Sequence, residues 1–204
     1  MQSYKIYPVG FAANSYLVTA DGRYAVCIDP AQPRIAQEAE RRGLSVTHVL
    51  LTHGHFDHTG GAHALQERGA KVGCLKGEEA IVPDAELAAA FGAYAPGAFP
   101  RFHIDFTFRD GEVLSLAGLA VRVIATPGHT AGGASFLIGD RLYSGDTLFA
   151  GDIGRSDLPT GSGAQLVASV KKLYALEGDY TVCPGHGEDT TLEYERRHNG
   201  WVRC

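Results

Sequence analysis

Apolar positions along this chain come in short runs broken by Gly, Pro and Asp. Residues 14–19 and 24–28 flank Ala20-Asp21-Gly22-Arg23 and read as a β-hairpin. Residues 33–42 place Pro33 at a first helical position and Gly43 just past the end, the usual punctuation of a helix. Residues 46–51 form a short apolar run expected to be a buried strand, with a polar His/Gly loop after it. A helix over 61–68 and a strand over 71–75 complete a β-α-β-α-β order.

The segment 76–105 breaks this rhythm. Ala85 to Ala90 favours helix, but Pro96, Gly97 and Pro100 interrupt any regular element beyond it, so the segment reads as an inserted lid or a surface decoration. Strands resume over 106–108, 113–116, 119–125, 134–138 and 141–144, joined by tight Gly/Asp-bearing links. Residues 164–176 carry apolar side chains at 166, 167, 170, 173, 174 and 176, one face of a helix. A strand over 180–183 and a helix over 192–198 end the chain. Strands, helix, strand, helix thus occurs twice, which predicts two mixed sheets with helices outside; no GxGxxG supports a Rossmann sheet. We expect one domain spanning 1–204.

Composition narrows the function. A net charge of −5 argues against a nucleic-acid partner. No apolar run reaches the roughly 18 residues that a membrane span needs, and no secretory h-region opens the chain. Cys27, Cys74, Cys183 and Cys204 form no CxxC, so free thiols in a cytoplasmic protein are expected. The 26 glycines are an excess, and many sit beside histidines.

Those histidines carry the chemistry. Thr52-His53-Gly54-His55-Phe56-Asp57-His58 packs three imidazoles and a carboxylate into six residues directly after a strand, a ligand set for zinc, iron or manganese. On an extended segment His53 and His55 project the same way, while a turn through Phe56 lets Asp57 and His58 address a second point. His129, Asp146 and His186 each come after a predicted strand, behind a Gly. Strand ends meeting at one sheet edge are where sites assemble. Counting ligands gives a two-metal site: His53, His55 and His129 hold one divalent ion, Asp57, His58 and His186 hold the other, and Asp146 bridges. Two ions ~3.5–4 Å apart lower the pKa of bound water toward neutrality, which implies metal-assisted hydrolysis.

The motifs THGHFDH, TPGHT, SGDTLF and PGHG, in that order, resemble those of the metallo-β-lactamase superfamily. Asp146 at the bridging position, within Gly145-Asp146-Thr147-Leu148-Phe149, and Gly154-Arg155-Ser156-Asp157 beyond it are similar to the hydroxyacylglutathione hydrolase (glyoxalase II) branch, in its short single-domain form. The resemblance implies a four-layer αββα sandwich of α/β (α+β) class and the same seven metal ligands. It also implies two metal ions, most simply zinc, and a small-molecule thioester such as S-D-lactoylglutathione cleaved by a metal-bridging hydroxide that Asp57 orients. Asp29 resembles the family's acid behind the metals. The resemblance extends to persulfide dioxygenases, which imply a single iron on His53, His129 and Asp146 and stand as the alternative.

His48, His63, His103 and His198 are expected to be structural or exposed. Arg155 and Asp157 are expected to pair, Tyr143 and Phe149 to lie in the core, and Cys183 to be a buried strand residue.

Overall fold

The computed structural model describes residues 1–80 and 100–203. The first sheet joins six strands in chain order: β1 (Gln2–Ile6), β2 (Ser15–Thr19), β3 (Tyr24–Ile28), β4 (Ser45–Leu50), β5 (Lys71–Leu75) and β6 (Phe106–Phe108). β1 to β3 pair antiparallel, whereas β3 to β6 pair parallel, with α1 (Ile35–Arg41) and α3 (Ala62–Gln66) filling the crossovers between β3, β4 and β5. The second sheet contains β7 (Val113–Leu116), β8 (Leu119–Ala125), β9 (Ala134–Ile138), β10 (Arg141–Gly145), β13 (Thr181–Pro184) and β14 (Thr190–Thr191) in the order β14-β13-β10-β9-β8-β7. A small ribbon of β11 (Leu148–Phe149) and β12 (Asp152–Ile153) precedes α4 (Gly163–Tyr174), and α5 (Leu192–His198) comes after β14.

Period-two alternation explains the layering. Tyr16, Val18, Val26, Ile28 and Leu50 of the first sheet meet Val121, Val123, Phe136, Ile138 and Tyr143 of the second in one buried cluster. Their neighbours in sequence point the other way. Leu17, Ala25, Cys27 and Val49 pack on Ile35, Ala36 and Ala39 of α1 and on Leu65 of α3. Leu142 and Val182 pack on Val170 and Leu173 of α4 and on Leu192 of α5. Strands apolar on both faces are stable only when covered on both, so helices flank the paired sheets and the order is αββα. Each fully buried Leu or Val here stabilises the fold by roughly 1.5–3 kcal/mol.

Most expected elements are present with ends shifted by a residue or two, a shift within the ordinary fraying of helix and strand ends. The expected helix around Ala85 to Ala90 lies outside the described residues. The first strand, β1, has no counterpart among the expected elements; its sequence QSYKI has no clean alternation, and pairing with β2 makes it a strand.

The topology gathers the strand ends. β3 and β4 run parallel, as do β10 and β13, and β8 and β10 run the same way because both are antiparallel to β9. The loops carrying Asp29, His53 to His58, His129, Asp146 and His186 therefore leave the ends of strands that share a direction within each sheet. Backbone bonds tie the two edges together, Ala134 N–H to the Thr52 carbonyl at 2.8 Å and Asn14 N–H to the Gly185 carbonyl at 2.7 Å. Tyr16 of the first sheet donates its hydroxyl to the Pro184 carbonyl of the second at 2.7 Å.

Candidate metal centre

The seven sequence-selected side chains come together. His53, His55 and His129 form one group, Asp57, His58 and His186 a second, and His53, His58 and Asp146 a third, each with its ligand atoms within 4.8 Å of one another. The expected turn after His55 is one turn of helix, α2 (Phe56–Thr59), so Asp57 and His58 leave consecutive positions of a helical turn.

Hydrogen bonds on the far side of three rings decide which nitrogen faces inward. Asp29 accepts from the Thr52 N–H at 2.8 Å, from the Thr52 hydroxyl at 2.6 Å and from His58 Nδ1 at 2.8 Å. Having given its proton to Asp29, the Thr52 oxygen accepts from His53 Nδ1 at 3.1 Å. His129 Nδ1 donates to the Arg155 carbonyl at 2.7 Å. The Nε2 atoms of His53 and His58 are then directed inward; His53 Nε2 is buried with no hydrogen-bond partner, and the buried His58 Nε2 and Asp146 Oδ1 face each other 3.2 Å apart. Buried polar atoms without partners are costly. These three atoms converge among imidazoles and carboxylates as donors that divalent metal ions would satisfy, and the His/Asp set suits such ions. Asp29 sits at φ +48°, uncommon for a residue with a side chain, and its three accepted bonds hold it there.

Asp146 lies between the groups. Its Oδ1 lies 3.2 Å from His58 Nε2, and its Oδ2 lies 3.6 Å from both His129 Nε2 and His186 Nε2. His186 Nε2 donates to Asp57 Oδ2 at 3.1 Å, and His129 Nε2 lies 2.9 Å from His55 Nδ1. Burial and neighbouring imidazoles push His53 well below its ordinary pKa and His55 down to about 4, so both are unprotonated at neutral pH. Burial would lower His58 as well, but Asp146, Asp29 and Asp57 raise it well above 6.5. Burial alone would raise Asp146 and Asp57, yet the surrounding imidazoles, His58 foremost, hold both below the usual carboxylate range.

Above the cluster opens a cavity of about 500 Å³ whose floor includes His55, Asp57, His129, Asp146 and His186. Phe11, Phe56, Phe149, Leu158 and Arg155 wall it. Phe149, expected in the core, instead lines this cavity with its ring 6.2 Å from His186, because the β11–β12 ribbon turns it outward. Tyr143 is fully buried between the sheets, as its alternation requires. Arg155 pairs bidentately with Asp157 at 2.7 and 2.8 Å. Cys183 is buried and, like Cys27 and Cys74, a free thiol. His63, His103 and His198 make local contacts with Glu67, Asp105 and Tyr194.

A family model of the metallo-beta-lactamase superfamily matches residues 8–186. The chain belongs to that superfamily. Among curated relatives of this superfamily member is hydroxyacylglutathione hydrolase GloC of Haemophilus influenzae, 35% identical and covering 97% of each chain. Three solved structures share the fold. The BLEG-1 B3 metallo-beta-lactamase has a TM-score of 0.91 at 28% identity, covering 100% of both chains. TTHA1623 in a di-iron-bound form has 0.85 at 33%, covering 98% of this chain and 100% of that one. ETHE1 from Myxococcus xanthus has 0.82 at 29%, covering 99% and 84%. These likenesses make the chain similar to hydrolases and to metalloproteins of this fold, and its His/Asp cluster can accept two metal ions.

Glu78 is a buried carboxyl group that the sequence does not single out. It lies fully buried on a 3₁₀ turn (Glu78–Ala80) after β5, where burial pushes its pKa up to about 7 against the bonds it accepts from Gly54, Thr130 and Gly132. In sequence, Lys76-Gly77-Glu78-Glu79 is indistinguishable from a solvated charge run.

Proposed function

We propose that this protein is a metal-dependent thioester hydrolase acting on S-D-lactoylglutathione or a related acyl-thiol. His53, His55 and His129 would hold one ion, Asp57, His58 and His186 the other, and Asp146 both; zinc is the simplest occupant, with iron or manganese also suited to the donors. The observation that carries the reading is the convergence of these seven His and Asp side chains into three groups with ligand atoms within 4.8 Å, five of them lining the floor of an open cavity and His53 Nε2 buried without a partner. Similarity to GloC supports the substrate class. The buried free thiols of Cys27, Cys74 and Cys183 support a reducing, cytoplasmic setting.

When bound, the ions supply Lewis acidity, which lowers the pKa of water from ~15.7 toward neutrality and polarises a carbonyl. The chain supplies the rest. Asp57, its carboxylate kept ionised by His58 and His186, accepts a hydrogen bond from the attacking water and orients it. Asp29 and Thr52 keep the His53 and His58 rings from turning, so no reorganisation is needed when substrate arrives. Phe11, Phe56 and Phe149 offer apolar contact to the acyl group or thiol. Addition of water to the thioester breaks the carbon–sulfur bond and yields a carboxylic acid and a thiol. With a thiol pKa of roughly 8.5, the thiolate departs without a strong general acid.

The test is thiol release from S-D-lactoylglutathione by metal-loaded protein, read with a thiol-reactive chromophore. Turnover is expected that is lost on chelation and restored by zinc. Absence of turnover, coupled with oxygen uptake on glutathione persulfide by protein holding one iron, would instead establish the dioxygenase. His53, His129 and Asp146 also lie close enough to serve that reading, with the first two rings 4.6 Å apart.

A further inference from the structure

Two separate loops deliver the three-histidine group, and one carboxylate joins them. Glu78 Oε1 accepts from the N–H of Gly54, the residue between His53 and His55, at 2.8 Å. Glu78 Oε2 accepts from the Gly132 N–H at 2.9 Å and from the Thr130 hydroxyl at 3.1 Å, both on the loop that starts at His129. Each oxygen therefore serves a different ligand loop. Glu78 is 0% exposed and, among the described residues, makes no ion pair with Lys or Arg, so these loops receive its side-chain bonds. The fit is close: a Cβ added at Gly132 would lie 2.5 Å from Oε2 and 2.7 Å from the Glu78 Cβ. Glycine at 132 lets the loop lie flush on the carboxylate.

A buried carboxylate shared between two backbones costs desolvation that the fold recovers only through these bonds. The bonds Glu78 accepts fall between His53 and His55 and on the His129 loop, and none falls on the loops of Asp146 or His186. We propose that Glu78 is a positioning residue that sets the separation of the His53/His55 loop from the His129 loop, and through it the affinity of the three-histidine half for metal. The proposal rests on the metal-centre reading above. A glutamine cannot replace it, because its amide would turn N–H groups toward backbone N–H on one loop or the other.

The experiment resolves the two halves. Zinc affinity is measured by competition with a chromophoric chelator in two backgrounds, His186→Ala to leave the three-histidine group and His129→Ala to leave the Asp57/His58/His186 group. Glu78→Gln is expected to weaken zinc roughly 10–100-fold in the first background and less than about threefold in the second, the range seen for groups that orient metal ligands. Gly132→Ala, which pushes on the same oxygen, is expected to reproduce the selective loss should Glu78→Gln fail to fold by circular dichroism. Equal weakening in both backgrounds, no weakening in either, or loss of folding in both variants would overturn the proposal and leave Glu78 a packing residue. Failure of the unmodified chain to bind zinc would instead remove the metal-centre reading itself.

Discussion

Replacing Gly185 by Ala tests whether the cluster is built to the tolerances described. A Cβ at 185 would lie 2.2 Å from Asp146 Oδ1 and 2.6 Å from His58 Cε1, both of them rigidly buried. To regain 3.4 Å, where ordinary van der Waals contact begins, the Asp146 oxygen must retreat by about 1.2 Å and the His58 carbon by about 0.8 Å. Overpacking of this kind costs roughly 1–3 kcal/mol of stability. The cost to function is larger, because a misplacement of about 1 Å at reacting groups lowers rates roughly 10²-fold. Gly187→Ala is the control on the same loop. No atom lies within 4 Å of a Cβ there, but φ is +77°, so the substitution costs roughly 1–2 kcal/mol of backbone strain alone. Thermal melts of the metal-free proteins should show comparable destabilisation. Metal content after dialysis and initial rates of thiol release should separate the two, with Gly185→Ala losing metal and at least roughly 10²-fold in rate, and Gly187→Ala staying within about threefold of the parent. A Gly185→Ala protein that keeps both its metal and its rate would refute the geometry on which the site is argued.

Asp57→Asn keeps the shape but not the ionised acceptor, so turnover of the thioester should fall by roughly 10²-fold or more while zinc still binds the three-histidine group, as equilibrium dialysis would show. The carboxylates of Asp146, Asp29 and Asp57 raise the pKa of His58, whereas burial and neighbouring imidazoles depress His53 and His55, which are neutral at pH 7. Zinc binding near neutral pH should therefore displace a proton at His58, and affinity at that half should rise with pH. Calorimetry in buffers of different ionisation enthalpy measures the release, and buffer-independent heats would contradict it. Chelation should lower the melting temperature by roughly 5–10 °C when the metal had been present at about 100 times its dissociation constant, because the ions bind the folded chain only.

The ligand cluster is legible in the sequence because its residue types are rare, closely spaced and placed directly after apolar runs. His53, His55, Asp57 and His58 announce themselves within one motif; His129, Asp146 and His186 share a Gly-then-ligand pattern at strand ends. The paired sheets are legible from the twice-repeated order of strands, helix, strand and helix, and the four-layer sandwich from the resemblance its motifs carry; strands apolar on both faces, such as Leu17 between Tyr16 and Val18, give that layering its physical reason. Features fixed by tertiary contact are not. The helical turn Phe56–Thr59 looks like loop in sequence, Phe149 looks like core, and the burial of Glu78 depends on loops 24 and 54 residues away. Asp29 stands out in sequence only through resemblance, and its bonds to Thr52 and His58 give it a physical task.

Anomalous diffraction from crystals of zinc-loaded protein tests the central claim most directly. Two peaks are expected, one within about 2.0–2.2 Å of ring nitrogens of His53, His55 and His129, the other at that range from Asp57, His58 and His186, with Asp146 reaching both. A cluster that stays empty under saturating zinc, or zinc bound only elsewhere on the chain, would contradict the account.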